Sequence, residues 1–330
     1  MRAQTRSNGF TVLTSTPLVT SAVRPANNEQ RVINILRIGT RGSKLALAQA
    51  ETVKSLLAKK GVRSELYIVK TSGDSFTDKP FREAGIGAFV REIDDRMLAG
   101  EMDIAVHSMK DVPTKRPRQI DVCAVLPRSS PYDVLAFGRQ LRDGAVIGTS
   151  SLRRHAQLAR YFPQYVRRQI RGNVDTRMRK LQLNEFDAIV LAEAGLERLG
   201  IHISQKRLPF IPSPNQGIIA IMAMQEFPDY DAVATLNDRA TLVEAMAERT
   251  IMEALGGGCL VPLGIFAQLQ ADSVSVTAEV LSLDGQRAIR LADCIPVENS
   301  ERGSRAFALR IKKSGGDALI AEAVATGFSN

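Results

Sequence analysis

From Ile35 onward, short β-rich runs alternate with stretches whose apolar positions recur every three or four residues. That alternation predicts parallel sheets assembled from strand-helix-strand units. Ile35 to Gly39 reads as a strand and Thr40-Arg41-Gly42-Ser43 as a turn. Leu45 to Lys60 reads as a helix with Leu45, Ala48, Val53, Leu56 and Leu57 on its apolar side, stopped by Gly61. A strand from Glu65 to Val69, a helix from Phe89 to Leu98 and a strand from Asp103 to Val106 follow, and the last runs into His107-Ser108-Met109-Lys110-Asp111-Val112-Pro113. Ligands of open α/β sheets gather at the carboxyl ends of strands, so that segment is well placed for chemistry.

A second set starts at Ala145: strand Val146 to Gly148, turn Thr149-Ser150-Ser151, helix Leu152 to Tyr161, strand Val166 to Ile170, turn Arg171-Gly172-Asn173, helix Val174 to Leu183, strand Asp187 to Leu191. Ile147-Gly148-Thr149 echoes Ile38-Gly39-Thr40, each before a serine and a helix; the echo is short. Two similar lobes with facing strand-end loops would form a cleft, the usual place for a ligand. Pro209, Pro212, Pro214 and Gly217 mark a linker, and the apolar run Ile218 to Met224 is fit to return to the first lobe as a buried strand. A helix from Ala240 to Leu255 leads to Gly256-Gly257-Gly258-Cys259, and the remainder reads as a small α+β unit. Its strands are expected at Leu263 to Leu269, Val274 to Leu283 and Arg287 to Cys294, with a hairpin at Asp284-Gly285 and a final helix from Arg302 to Lys313.

The chain has 330 residues, 44% of them hydrophobic, enough for two or three domains. Three cysteines without a CxxC pair and three scattered histidines argue for a reducing compartment and against a zinc site. No apolar run reaches the ~20 residues of a membrane helix. Residues 1–28 hold Arg2, Arg6 and Arg24 but no acid, which fits a transit segment, an ordinary disordered tail or an over-long choice of start codon, and residues 1–34 are set apart from the fold. The net charge of +9 asks for an anionic partner. Between Arg139 and Lys180 eleven Lys or Arg face two acids, Asp143 and Asp175. Nucleic acid is one reading of that stretch; small carboxylates are another, because most of the cations are Arg and aromatic residues for stacking are few.

Two residues stand out chemically. Cys259 follows a glycine triplet, which lets a bulky group approach the thiol; the alternative is a small buried hydrophobe carried into a strand by Leu260-Val261-Pro262-Leu263. Asp111 is an acid at a strand end, although an isolated Asp after Lys is also an ordinary turn residue or helix cap.

Four segments, Arg37-Ile38-Gly39-Thr40-Arg41-Gly42-Ser43 with Gln49, Asp103 to Pro113, Gly148-Thr149-Ser150-Ser151-Leu152-Arg153-Arg154 and Arg171-Gly172-Asn173-Val174, resemble the porphobilinogen deaminases (hydroxymethylbilane synthases). Gln216-Gly217 and Gly257-Gly258-Cys259 with Val261-Pro262 match in the same order, so the resemblance spans residues 35–320. It implies an α/β fold of three domains: two lobes like those of periplasmic binding proteins (35–128 with 216–236, and 132–212) forming a cleft, and a small α+β domain (240–330). It implies a dipyrromethane cofactor joined by a thioether to Cys259, and a transferase of tetrapyrrole biosynthesis. Such an enzyme condenses four porphobilinogen molecules head to tail with loss of ammonia, then releases hydroxymethylbilane by hydrolysis.

The same resemblance makes Asp111 the catalytic carboxylate, one that stabilises positive charge on pyrrole nitrogens and relays protons. Arg41, Arg153, Arg154, Arg171 and Arg177 would hold the acetate and propionate groups, with donors from Ser43, Lys110, Thr149 and Ser150; Ser108 and Gly172 join the cofactor set, and Gln49 and Gln216 the substrate set. Arg160, Arg167, Arg168, Arg179 and Lys180 read as solvated surface charge, and His107 as a packed, hydrogen-bonded histidine. The implied partner is porphobilinogen alone, with no nucleic acid, membrane or metal, for a monomer of the cytoplasm, or of an organelle should residues 1–34 be a transit segment.

The sequence departs from the family pattern at three places. Ile86 stands where a Gly-Gly-Lys-Gly loop has its lysine, Ser129-Ser130-Pro131-Tyr132-Asp133 replaces most of a charged Arg-Glu-Asp-Pro-Arg-Asp hinge, and Gly256 replaces a commoner Glu. These changes bear on affinity, elongation and hinge motion rather than on the chemistry. A non-catalytic binding protein for small anions and a nucleic-acid binder are the competing readings. The first predicts no covalent adduct at Cys259, the second an affinity that falls steeply with salt.

Overall fold

Strand β1 (Leu36–Arg41) buries Leu36 and Ile38 beneath helix α1 (Lys44–Lys59), whose Ala50, Val53 and Leu57 form the facing stripe. The Ser43 hydroxyl caps α1 by accepting from the Ala46 amide at 3.3 Å. The computed structural model describes residues 35–69, 88–256, 258 and 260–329; the segment 1–34, Ile86, Gly257 and Cys259 lie outside the described residues. After β2 (Ser64–Val69), helix α2 (Ala88–Leu98) covers the opposite face of the sheet with Ile93 and Met97. Strands β3 (Ile104–Ser108) and β4 (Ile120–Val125) complete the N-terminal part of the first lobe.

The second lobe takes β5 (Asp133–Phe137), β6 (Val146–Gly148), α3 (Leu152–Tyr161), β7 (Val166–Arg168), α4 (Val174–Gln182), β8 (Ala188–Ala192), α5 (Glu193–Arg198) and β9 (Gln205–Arg207). Strand β10 (Ile219–Met224), fully apolar, then lies between β3 and β4 in the first sheet. The two sheets have the orders β2-β1-β3-β10-β4 and β7-β6-β8-β5-β9. In each, a central strand has parallel neighbours on both sides, and the fourth strand runs antiparallel. The sheets are therefore mixed rather than wholly parallel, because β5 and β10 are delivered by the crossings between lobes instead of by a helical crossover within one.

The echoed tripeptides occupy equivalent places in this repeated topology. A Cβ on Gly148 would sit 2.9 Å from Phe186, 3.1 Å from Ile189 and 3.2 Å from Ile170, so β6 needs a glycine there, whereas one on Gly39 would meet only the flexible side chain of Met102.

After α6 (Tyr230–Ala234), helix α7 (Arg239–Leu255) leads into the C-terminal unit, an antiparallel meander of β11 (Leu263–Gln270), β12 (Ser273–Leu281) and β13 (Ala288–Pro296). Gly256 ends α7 in the left-handed conformation (φ 71°), which explains glycine there rather than a side-chain-bearing acid. Helix α8 (Ser300–Ile311) contributes Phe307 to the core, and a break at Gly315 (φ 105°) is followed by α9 (Asp317–Ser329). The sequence predicts a final helix ending at Lys313; the chain instead turns at Gly315 and buries Leu319, Ile320 and Ala323 against the same core. Among the described residues no helix is long and apolar enough to cross a membrane.

Candidate active site

The parallel strands β1 and β3 end on one edge of the first sheet, β6 and β8 on the corresponding edge of the second, and these edges meet. Between them lies a cavity of about 30 Å³, lined by Ser108 and Lys110 from one lobe, Ala192 and Arg198 from the other, and Asn215 and Gly217 from the linker. That volume is about right for one water molecule, and the two lobes touch around it, Leu45 of α1 lying within 4 Å of the position a Cβ on Gly195 would take.

Asp111 ends the 3-10 turn Met109–Asp111 that follows β3, and its side chain is exposed at this edge. The turn is fixed from three directions. The Met109 amide donates to the Ile218 carbonyl at 3.0 Å, and the guanidinium of Arg249 on α7 donates to the carbonyls of Val112 (3.0 Å) and Pro113 (2.8 Å). Arg116, further along, is paired with the buried Asp94 of α2. A carboxylate on a turn held this way keeps its position while remaining open to a ligand.

Next to Asp111, Gln216 connects the lobes. Its Nε2 donates to Asp133 Oδ1 (2.9 Å) and the Pro131 carbonyl (2.8 Å), while Oε1 accepts from Lys110 and from Arg154, each at 3.5 Å. Asp133 is fully buried and takes hydrogen bonds from Arg153 (2.7 Å) and Arg154 (3.0 and 2.7 Å) as well. Burial alone would raise its pKa; the two guanidiniums and the Gln216 amide overcome that and hold it far below the usual carboxylate range. Lys110 is pushed down to about 8 by burial, with Arg154 and Arg153 adding to the shift while Asp111 and Asp133 oppose it.

The residues singled out from sequence fall into distinct groups. Arg153 and Arg154 are buried and bonded to protein partners, Arg153 also to Gln157 (2.8 Å) and the Ile211 carbonyl (2.9 Å). Thr149 is buried and Ser150 Oγ donates to the Ile170 carbonyl at 2.6 Å. Gln49 and Ser108 bond each other, with Nε2 to Oγ at 2.8 Å, which ties α1 to the end of β3. Arg171 and Gly172 are exposed just before α4, Arg41 is half-buried at the end of β1, and Arg177 on α4 donates to the Gly172 carbonyl at 2.7 Å. Burial and the nearby Arg154 lower Arg177 to about 10. His107 is packed as expected, but its Nε2 has no hydrogen-bond partner; burial, with Arg116 and Arg41 close by, lowers it to about 3, so the imidazole is neutral. Of the arginines read as surface charge, Arg160, Arg168 and Arg179 are exposed, while Arg167 and Lys180 are half-buried.

Around Asp111 and Asp133 the cations Lys110, Arg153, Arg154 and Arg177 are in excess. Lys110 and Arg177 are both lowered first by burial and then by Arg154, so an added anion would be favoured beside them. A group carrying several carboxylates, such as a dipyrromethane, fits that donor set.

Sequence reasoning missed Asp133, Arg249 and Arg198. Asp133 heads the apolar run Val134-Leu135-Ala136-Phe137, and an acid opening a buried strand was the available signal. Arg198 donates to Ser129 Oγ (3.0 Å) and the Gly217 carbonyl (2.5 Å), and Arg249 reaches across to another unit; nothing in the local pattern of either helix distinguishes them from solvated arginines.

Residues 36–231 match the family described as porphobilinogen deaminase, dipyromethane cofactor binding domain, and residues 242–312 match porphobilinogen deaminase, C-terminal domain. The chain is 48% identical over 297 residues to a probable porphobilinogen deaminase of Methanocella arvoryzae, covering 87% of this chain and 98% of that one. It is 47% identical to the corresponding protein of Methanococcoides burtonii (87% and 96% covered) and 48% identical to that of Archaeoglobus fulgidus (74% and 88%). Among solved structures, the methionine binding protein MetQ aligns with a TM-score of 0.37 at 11% identity, over 66% of this chain and 95% of that one, too low to carry an argument. By its sequence matches over most of its length, the chain belongs to the porphobilinogen deaminase family.

Proposed function

We infer that this chain is a hydroxymethylbilane synthase that acts as a monomer, condensing four porphobilinogen molecules with loss of ammonia and releasing hydroxymethylbilane by hydrolysis. Beyond family membership, the observation that carries this reading is the cationic excess around Lys110 and Gln216 beside the exposed Asp111. Dipyrromethane would be held by Cys259 through a thioether, with Lys110, Ser108, Thr149, Ser150, Arg153, Arg154, Arg171 and Gly172 around it. When bound, it supplies the pyrrole carbon from which the chain grows.

Arg153 and Arg154, already bonded to Asp133, act on the carboxylates chiefly through their field. Arg41, Arg177, Ser43, Gln49 and Gln216 form the substrate set, in which Arg41 and Arg177 would pair with the acetate and propionate of porphobilinogen. Asp111 stabilises the positive charge that develops on the substrate's pyrrole nitrogen as ammonia departs, and relays the protons displaced by condensation. The rigid turn beneath it preserves that alignment through repeated cycles.

The test is intact mass and peptide mapping of protein made in a porphobilinogen-producing host, followed by incubation with porphobilinogen. A mass of two linked pyrrole units on the Cys259 peptide and formation of hydroxymethylbilane are expected. An unmodified Cys259 that stays unmodified after incubation, with no product, would overturn the reading in favour of a binding protein.

A further inference from the structure

Asn215 is 1% exposed, yet neither Nδ2 nor Oδ1 of its amide has a hydrogen-bond partner. Its backbone is committed: the N–H donates to Glu248, and φ is 62°, in the left-handed region. Glycine would satisfy that backbone without bringing a polar side chain into the interior, so the shape of the turn alone does not account for asparagine. A buried amide with all its hydrogen-bonding capacity unused is destabilising unless something fills it. Asn215 also lines the cavity between the lobes together with Ser108, Lys110 and Arg198.

We propose that Asn215 is a substrate-contacting residue whose amide is filled by porphobilinogen, Oδ1 accepting from the aminomethyl ammonium and Nδ2 donating to the acetate carboxylate on the neighbouring ring carbon. This rests on the function proposed above. An amide offers one acceptor and two donors, and porphobilinogen presents the complementary pair side by side, an aminomethyl ammonium and an acetate on adjacent ring carbons. Lys110 and Arg198 at the same cavity provide the positive field that brings the carboxylate in. The present cavity admits only a molecule the size of water, so the substrate enters as the lobes part and the amide is filled as they close.

The experiment compares wild-type holoenzyme with Asn215→Gly, which keeps the left-handed backbone, and Asn215→Asp, which keeps the shape but replaces the donor by a charge. Porphobilinogen consumption is measured alongside the cofactor mass and the melting temperature of each protein. The expected result is KM raised about five- to tenfold in both variants, with kcat within about twofold and the cofactor mass retained. In Asn215→Gly the melting temperature should be no lower than wild type, since an unsatisfied amide has been removed. A lower melting temperature with unchanged KM would show a purely structural role and overturn the proposal. So would a porphobilinogen-bound crystal structure in which the amide binds only water. Wild-type protein that neither carries the cofactor nor consumes porphobilinogen would instead refute the proposed function, and this assignment would fall with it.

Discussion

Replacing Asp133 by Asn tests whether the polar core beneath the cleft is an electrostatic unit. The Asp133 carboxylate is fully buried and accepts from Arg153, Arg154 and Gln216, so the isosteric amide leaves two buried guanidiniums without an anion. Breaking a buried ion pair from one side costs about 3–5 kcal/mol, well above the ~0–1 kcal/mol of an exposed pair. For a chain of this size that loss corresponds to a melting temperature lower by about 5–8 °C. The pH dependence gives a second readout. Asp133 titrates below its unfolded-chain value of about 3.9, so its contribution is fully present above about pH 4 and is lost as pH falls through the folded value. Thermal melts of wild type and Asp133→Asn should therefore differ most at neutral pH and converge in acid, and the double variant with Arg154→Met should recover part of the loss. Melting curves that superimpose at pH 7, or a difference that persists unchanged to pH 2, would refute the assignment of charge to this core.

Asp111→Asn should fold normally, since the side chain is exposed, and retain the cofactor while kcat falls at least about a hundredfold; steady-state kinetics and a melting curve check both halves. Cys259→Ser should lack the two-pyrrole mass on peptide mapping, and a variant that keeps it would locate the anchor elsewhere. Arg249→Met releases the carbonyls of Val112 and Pro113, so kcat should drop about tenfold with KM little changed and stability reduced by about 1–3 kcal/mol, whereas equal losses in a variant of an exposed arginine such as Arg305 would argue against a positioning role.

What was legible in the sequence was what periodicity and turn chemistry encode locally. Helix α3 was expected from Leu152 to Tyr161 and is found there, because a serine cap and an amphipathic stripe specify it without outside help. The third meander strand was placed within about two residues through the Asp284-Gly285 hairpin. Strands β4 and β5 and helix α5 were not anticipated: β4 and β5 flank the crossing between lobes and pair with strands distant in sequence, and α5 is too short to show a period. The same limit applied at the site. Arg153 and Arg154 were named for their charge, but their bonding to Asp133 depends on a strand twenty residues away, which spacing cannot reveal.

The hinge shows why a departure from a family's motif need not be a loss. In Arg128-Ser129-Ser130-Pro131-Tyr132-Asp133, the two charges retained from the family pattern do the buried work: Arg128 donates to Glu248 at 2.7 Å, tying the first lobe to α7, and Asp133 anchors the second-lobe arginines. The positions that changed are still bonded, Ser129 Oγ to Arg198, Ser130 Oγ to Glu193, and Tyr132 beneath the Arg207 guanidinium at 4.8 Å. What differs is charge. A carboxylate at position 129 would neutralise Arg198, whereas a serine hydroxyl accepts its hydrogen bond and leaves the positive charge in place. Because Arg198 lines the cavity between the lobes, that charge is left for an anionic ligand, and Arg198 meets position 129 through a hydroxyl rather than through an ion pair. The serines therefore shift electrostatic stabilisation from the empty hinge to the occupied cleft.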